Sequence, residues 1–341
     1  MSGAPVGRFH SVRGLAVGCA LLVVVTVVLA LGDDSYGITF WRTILMTVTL
    51  AVTWNLIGGL AGQHSFAHPI MFGVGAYVGT AVLGAAPAMP LWIVVILGAL
   101  AATAVSVLLT PAFRARGPYF AILTIAASEG LRVAGNAFFP GGSAGQYVPI
   151  TASPSDSGLL VYAIVITLVA IVLHHVVDES PIGSGLRMLA IDESAAAAVG
   201  VPTTRLKVTA FVLGAPCVGA FGVVYMAGAT FVDPNTVFNL NYAVLAVLTT
   251  LLGGVGLLWG AVFGAVVWQL VTKQLSDSIQ NPGIATMVNG AALLVVILVL
   301  PGGIVGTALA TLPARWRDRF PVPRPRWTRK AGARGEAVPA T

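Results

Sequence analysis

The chain has 341 residues, of which 57% are hydrophobic and 9% charged, with a formal net charge of +6. A soluble domain carries about a quarter of its residues as Asp, Glu, Lys or Arg, and the mean hydropathy here is +0.91. These values exclude a soluble globular domain, and lipid is the solvent for much of the chain.

The positive charge is unevenly placed. Arg315, Arg317, Arg319, Arg324, Arg326, Arg329, Lys330 and Arg334 crowd the last stretch. Beside a membrane span, such a tail fixes topology or meets anionic lipid rather than nucleic acid. Cys19 and Cys217 lie in apolar runs, without metal-ligand spacing or the density of a disulfide framework.

A spanning helix needs about 20 mostly apolar residues. In chain order the candidates are 14–31, 43–61, 69–85, 91–113, 118–136, 158–177, 208–229, 242–256, 260–275 and 283–300. The expected fold is an all-α, polytopic membrane protein of about ten helices. Basic loops stay cytoplasmic. Arg8 and Arg13 therefore place the N-terminus inside, and ten crossings bring Arg114, Arg116, Arg187, Arg205, Lys207 and the basic tail to the same side. Asp33, Asp34, Asp156, Asp233 and Asp277 fall opposite, with only Arg42 and Lys273 as positive charge there. The first run is longer than the usual apolar core of a signal peptide and reads as a retained span. The expected domains are a cytoplasmic N-terminus, 1–13, a transmembrane domain, 14–312, and a disordered basic Pro/Arg-rich tail, 313–341.

Four stretches carry candidate chemistry. In the first, NLIGGLAGQHSFAHPIMFGVGAY, Gly58, Gly59 and Gly62 break the second span, and Gln63, His64, Ser65 and His68 follow close to membrane depth. Pro69 suits the first turn of a new helix, and Gly73, Gly75 and Ala76 offer a small-residue face for close packing. Irregular backbone in a membrane survives only where protein or a water-filled cavity satisfies it. The stretch is thus a translocation-path lining, with Gln63, Ser65 and His68 as candidates, or else an interfacial turn. In the second, GPYFAILTIAASEGLR, Glu129 lies past the middle of a span, and Arg132 shares its helix face and can neutralise it. Glu129 is a pore-lining candidate or half of a structural ion pair. A polar glycine-rich loop, PGGSAGQ, follows.

The third stretch is the long cytoplasmic loop 178–207. Residues 186–199 read as one short helix, stopped by Gly200 and followed by Pro202. The alanines 195–198 form a smooth face for another protein's backbone, although alanine is also simply the best helix former. The fourth, LTTLLGGVGLLWGAVFGAVV, is a second helix–glycine–helix break through Gly253, Gly254 and Gly256. It faintly echoes the first, and paired interrupted helices point to a transport pathway. The sequence carries no phosphate loop, no catalytic triad signature and no metal-binding cluster. The reading is therefore a non-enzyme with no catalytic residue, metal or cofactor.

Together these stretches resemble the LivM-type permease of branched-chain amino acid ABC importers. Gly62, Gln63, Ser65, His68, Phe72, Gly73, Gly75, Ala76 and Tyr77 match the family's G-Q-x-S-x-G-H-x-x-F-x-G-I-G-A-Y stretch. Arg116, Gly117, Tyr119, Phe120 and Ala121 match R-G-x-Y-F-A, and Glu129, Leu131 and Arg132 match G-E-x-L-R with Ser128 in place of its glycine. Gly141, Gly142, Ser143 and Gly145 match a T-G-G-S-x-G loop, and Leu252, Gly253, Gly254, Gly256, Trp259, Gly260 and Gly264 match L-G-G-x-G-S-x-W-G-P-x-x-G. The cytoplasmic loop resembles the helix that docks the ATPase in this family, which makes Arg187, Glu193, Ala195, Ala196 and Gly200 its candidate coupling residues. Ala190 and Ala197 stand where the family carries a basic and an acidic residue.

The resemblance implies a type II-like importer arrangement in a prokaryotic inner membrane, with both termini inside. It implies a second homologous permease, two cytoplasmic ATP-binding subunits and an extracytoplasmic solute-binding protein as partners. It also implies substrates among branched-chain amino acids, amides and urea. An ion-coupled secondary transporter is the rival reading, but Glu129 is the only carboxylate at membrane depth to carry a coupling ion.

Overall fold

The computed structural model describes residues 12–31, 35–115, 117–147, 155–229 and 231–278, with 287, 290, 291 and 303 singly. The expected span 283–300, the residues before 12, Arg116 and the basic tail lie outside this described set, apart from those single positions. Each of the other nine apolar segments contains a helix.

The helices run in order α1 Val12–Leu31, α2 Ser35–Trp54, α3 His68–Ala85, α4 Leu91–Leu108, α5 Pro118–Phe138, α6 Asp156–Glu179, α7 Pro181–Ile191, α8 Glu193–Ala198, α9 Thr203–Ala229, α10 Pro234–Val237, α11 Asn241–Gly253 and α12 Leu258–Ser278. Six stretches among the described residues are long and apolar enough to cross a membrane: Ser35–Gly59, His68–Ala85, Leu91–Arg114, Asp156–Glu179, Thr203–Ala229 and Pro234–Gly253. The protein is a polytopic, helical membrane protein.

The all-α expectation needs one correction. Gln146 and Tyr147 pair antiparallel with Val232 and Phe231 as strands β1 and β2. Gly141, Gly142 and Gly145 take positive φ in the loop before β1, and a side chain at Gly145 would strike the Phe231 ring and Val232 O. The glycine-rich loop therefore turns tightly enough to lay two residues on the chain that leaves α9.

α2 occupies the centre. From Ile44 to Trp54 all its residues are buried, as expected of a helix apolar on every side. Threonines stitch its neighbours to it: Thr49 and Thr167 of α6 share a hydrogen bond of 3.0 Å, Thr250 of α11 donates to Ala51 O at 3.1 Å, and Gln269 of α12 donates to Thr47 Oγ1 at 2.6 Å. By contrast, α4 and α6 turn Trp92, Ile96, Leu100, Val161, Val165 and Val169 outward, each at least half exposed. Such stripes are stable only against lipid or another subunit.

Glycine sets the spacing of α3, α4 and α9. Added Cβ atoms at Gly75 and Gly222 would fall inside the van der Waals radii of Gly219 O and Phe72 O, and at Gly219 within 2.7 Å of Gly98 O. Backbone thus meets backbone, the small-residue packing that membranes favour. Gly73 of the same motif instead seats the ring of Phe238. Gly75→Ala should cost about 1–3 kcal/mol, because the obstacle is backbone and cannot rotate away. Gly84→Ala on the same helix meets open space and should leave stability unchanged or raise it by up to about 1 kcal/mol. Thermal unfolding of the two variants in detergent checks the contrast.

α1 is docked rather than loose. Gly18 lies against the Trp259 ring at the start of α12, and Leu15, Cys19, Leu22 and Val23 pack on the core while Val17, Leu21, Val24 and Val28 point outward. Arg42, a positive charge on the side expected to hold few, lies 3.9 Å from Asp156. Lys273 sits 4.3 Å over the Phe40 ring. Both cations are thus compensated locally.

Candidate translocation and coupling sites

The two helix breaks that echo each other in sequence touch in space. α2 widens into a π turn at Asn55–Gly59, a feature frequent at functional sites, and Gly62 then takes φ +67°. Gly254 and Gly256, between α11 and α12, take φ +126° and +79°. Gly253 sits against Gly260 O and Gly264 against Thr249 O, so α11 and α12 lie backbone to backbone across that turn.

Asn55 joins the breaks. Its Oδ1 accepts the Gly256 N–H at 2.9 Å, and its Nδ2 donates to Leu257 O at 3.3 Å and His174 Nε2 at 3.0 Å. Asn55 and His174 are both completely buried. Gly59 makes room for this side chain, because a Cβ there would collide with Asn55 Oδ1 and stand 2.8 Å from Gly256 N. Neither Asn55 nor His174 is singled out by sequence reasoning. A lone Asn and a His-His pair inside apolar runs were the available signal, since polar groups at membrane depth persist only with partners.

Beyond the π turn the chain runs without regular structure to α3, and neighbouring side chains satisfy its backbone. Trp54 Nε1 donates to Ser65 O at 2.8 Å. The Phe66 N–H donates to Thr124 Oγ1 at 3.0 Å, and Ser128 Oγ donates to Phe66 O at 2.8 Å. α5 therefore sutures the break with its buried face. Gln63, Ser65 and His68 are all buried, whereas His64 faces outward. Thr53 Oγ1 donates to Thr49 O at 2.7 Å and meets His68 Nε2 at 3.2 Å. Gln63 Nε2 and His68 Nδ1 are buried with no hydrogen-bond partner among the described residues. The break thus keeps two unsatisfied polar groups where most buried groups are paired.

Glu129 lies elsewhere on α5. Arg132 Nε donates to Glu129 Oε2 at 2.8 Å, with side chains 31% and 38% exposed respectively. Arg132 Nη1 donates to Asn235 Oδ1 of α10 at 2.7 Å, and Asn136 Nδ2 donates to the same oxygen at 3.0 Å. The ion pair expected from the i, i+3 spacing is present, and it extends into a network that the sequence did not reveal.

The loop 178–207 meets the first break directly: an added Cβ at Gly62 would stand 3.3 Å from Ala190 Cα in α7. Leu56, Leu60 and Ala61 cluster with Val177, Leu186 and Ala210. The single helix expected over 186–199 is two helices. Ser180 caps α7 and Pro181 opens it, a Ser-Pro start signal visible in sequence. Asp192 then leaves helical geometry and caps α8, its Oδ1 accepting the N–H groups of Ser194 and Ala195. Aspartate gains more by capping than by continuing the helix.

α8 ends as sequence predicts. Gly200 takes φ +86°, with Val201 N donating to Ala196 O and Gly200 N to Ala197 O, the paired bonds of a Schellman stop. Arg187 pairs with Asp178. Glu193 pairs with Lys207 at 2.7 Å, and the lysine is 2% exposed. Ala196 is 3% exposed and packs inward, so it presents no surface for a partner and an Ala196 variant would perturb the chain itself. Ala195, Ala197 and Ala198 face outward, with Met188, Ile191 and Val199 at 43%, 64% and 71% exposure.

Residues 37–316 match the family model described as "Branched-chain amino acid transport system / permease component". The chain belongs to this family. It is 24% identical over 327 residues to the high-affinity branched-chain amino acid permease LivM of Salmonella typhimurium, spanning 86% of this chain and 72% of that one. It is 25% identical over 303 residues to LivM of Escherichia coli K12 (78% and 71%), and 26% identical over 296 residues to LivH of Salmonella typhimurium (79% and 93%). No solved structure matches the chain. The family match takes in both breaks, α5 and the loop 178–207. It identifies the chain as a membrane permease of the ABC transporter class.

Proposed function

We propose that this permease forms the translocation path of an ATP-driven importer for branched-chain amino acids or related small polar solutes, amides and urea included. The observation that carries the reading is the meeting of both helix breaks and the cytoplasmic loop at one end of a chain whose family is that of such permeases. α7 and α8 form the coupling element: Arg187 and Glu193 hold it through their ion pairs, Gly200 ends it, and Ala195 with its exposed apolar neighbours meets a cytoplasmic ATP-binding subunit. Ala196 serves it from inside. Gln63, Ser65, His68 and Glu129 line or gate the path. Gly62, Gly253, Gly254 and Gly256 permit the breaks, while Gly73 and Gly75 fix the packing of α3.

About ten spans with both termini inside place the cytoplasmic loop, Arg114 and the basic tail on the ATPase side, in the inner membrane of a bacterium. A second permease of the family, two ATP-binding subunits and a solute-binding protein complete the assembly. No covalent step occurs on this chain. It supplies a path whose access alternates as the ATPases close and open. Co-purification of the tagged chain from native membranes tests the assembly. Recovery of an ATP-binding subunit together with ATP-dependent leucine uptake is expected, and uptake driven by an ion gradient with no such subunit would overturn the proposal.

A further inference from the structure

α5 has two unlike sides. Outward it presents Tyr119, Ile122, Leu123, Val133 and Phe138, all large and exposed, a surface suited to lipid. Inward it carries Thr124, Ser128, Arg132 and Asn136 at intervals of four residues, a polar stripe along one face. Every member of the stripe bonds across to another element. Thr124 Oγ1 accepts the Phe66 N–H and Ser128 Oγ donates to Phe66 O, both in the irregular chain of the first break. Arg132 Nη1 and Asn136 Nδ2 donate to Asn235 Oδ1 in the four-residue α10.

This seam differs from the packing of α3, α4 and α9, where glycines bring backbone against backbone. Hydrogen bonds between side chains and backbone are individually weak and exchangeable. The segments opposite α5 are irregular or nearly so, and such backbone lies at membrane depth only where protein or a water-filled path meets it. Polar groups with unused bonding capacity border the seam at both ends. Gln63 Nε2 and His68 Nδ1 lie in or beside the break. Tyr77, whose ring stacks on Phe238 just after α10 at 5.7 Å, brings its hydroxyl to the other end, near Asn136 Oδ1. All four atoms are buried with no hydrogen-bond partner among the described residues, whereas static packing pairs most such groups. Glycines also frame the helix: Gly117 takes φ +56° just before it and Gly141 φ +82° just after it.

We propose that this seam is the gated translocation path, with α5 as its moving wall. Thr124, Ser128, Arg132 and Asn136 line it, and Phe66 and Asn235 stand opposite. Closed, the stripe spends its bonds on those two residues. Open, the stripe and the four unpaired groups face water and solute, while the outward side of α5 stays in lipid. Gly117 and Gly141 absorb the change as terminal hinges. Glu129 pairs with Arg132 at 2.8 Å and is a positioning residue, keeping the guanidinium compensated when it parts from Asn235. The inference rests on the reading of this chain as the path-forming permease.

Thiol labelling and cross-linking of the assembled transporter test it, with Cys19 and Cys217 replaced by alanine. Ser128→Cys exchanges only oxygen for sulfur, and a membrane-impermeant methanethiosulfonate is the probe. It should label Ser128→Cys about fivefold or more faster than the lipid-side Val133→Cys, at a rate that differs between nucleotide-free and vanadate-trapped protein. Labelling no faster than at Val133→Cys in either state would show a dry, structural seam and overturn the path. Equal rates in the two states would overturn the moving wall. The pair Asn136→Cys with Asn235→Cys, bridged by a short bis-methanethiosulfonate, should lose about nine-tenths of its ATP-driven leucine uptake and regain it on reduction. Bridged protein that imports as fast as the untreated pair would overturn the gate, and a pair that does not bridge would overturn the closed contact. If the pair does not assemble, the Ser128→Cys labelling decides. A parent without ATP-driven uptake would overturn the proposed function alone, because the contrast between Ser128→Cys and Val133→Cys reports on the seam whatever drives transport.

Discussion

Asn55→Leu is expected to produce a large loss of folded protein, about 2–4 kcal/mol of destabilisation. Leucine fills a similar volume but leaves the Gly256 N–H, the Leu257 carbonyl and the His174 ring without their Asn55 bonds, and each stranded buried group costs about 1–3 kcal/mol. Asn55→Asp keeps the acceptor for Gly256 and loses both donors, so it should fall between leucine and the parent. Gly59→Ala should follow Asn55→Leu, because the new methyl would occupy the place of Asn55 Oδ1. Detergent thermal unfolding ranks the three variants. A Gly59→Ala protein as stable as the parent would mean that Asn55 does not tie the breaks together.

Glu193→Gln is the second substitution expected to have a large effect. Lys207 is 2% exposed and its ion-pair partner is Glu193 at 2.7 Å. Removing one partner of such a pair leaves a buried charge uncompensated, at a cost of about 3–5 kcal/mol when both partners are fully buried. Glu193 is 34% exposed, so solvent screening lowers the expectation to about 2–3 kcal/mol. The loss should appear as detachment of α8 from α9, read as faster proteolysis or hydrogen exchange over 192–201. Glu193→Gln with Lys207→Met removes both charges and should recover most of the stability. Additive losses in the double variant would show that the two residues act independently.

Six of the expected spans were legible in sequence because lipid demands long apolar runs, and these six lie in helices long and apolar enough to cross a membrane. The breaks were legible because glycine clusters inside such runs have few other uses. Their meeting through Asn55 was not, since it depends on a contact 201 residues apart in sequence. The ladder of Gln146–Tyr147 with Phe231–Val232 was hidden for the same reason, and two residues are too few to show alternation. In the loop 178–207, alanine content marked helix correctly but said nothing about which alanine faces inward. Only the kink at Asp192 sets that phase, turning Ala196 to the core and Ala195 outward. The Glu129–Arg132 pair was readable from spacing within one helix, whereas Asn235 comes from α10 and required the fold.

The proposed coupling of the loop 178–207 to an ATP-binding subunit is tested most directly by Ala195→Arg. Ala195 lies on the outward side of α8, and its backbone N–H keeps the Asp192 cap whatever its side chain. The variant should therefore fold and insert like the parent. A long charged side chain in an apolar contact should weaken docking by a few kcal/mol, so the ATP-binding subunit should be lost on purification and uptake should fall with it. Ala195→Arg protein that retains the ATP-binding subunit and transports at the parental rate would contradict the assignment of α7 and α8 as the coupling element.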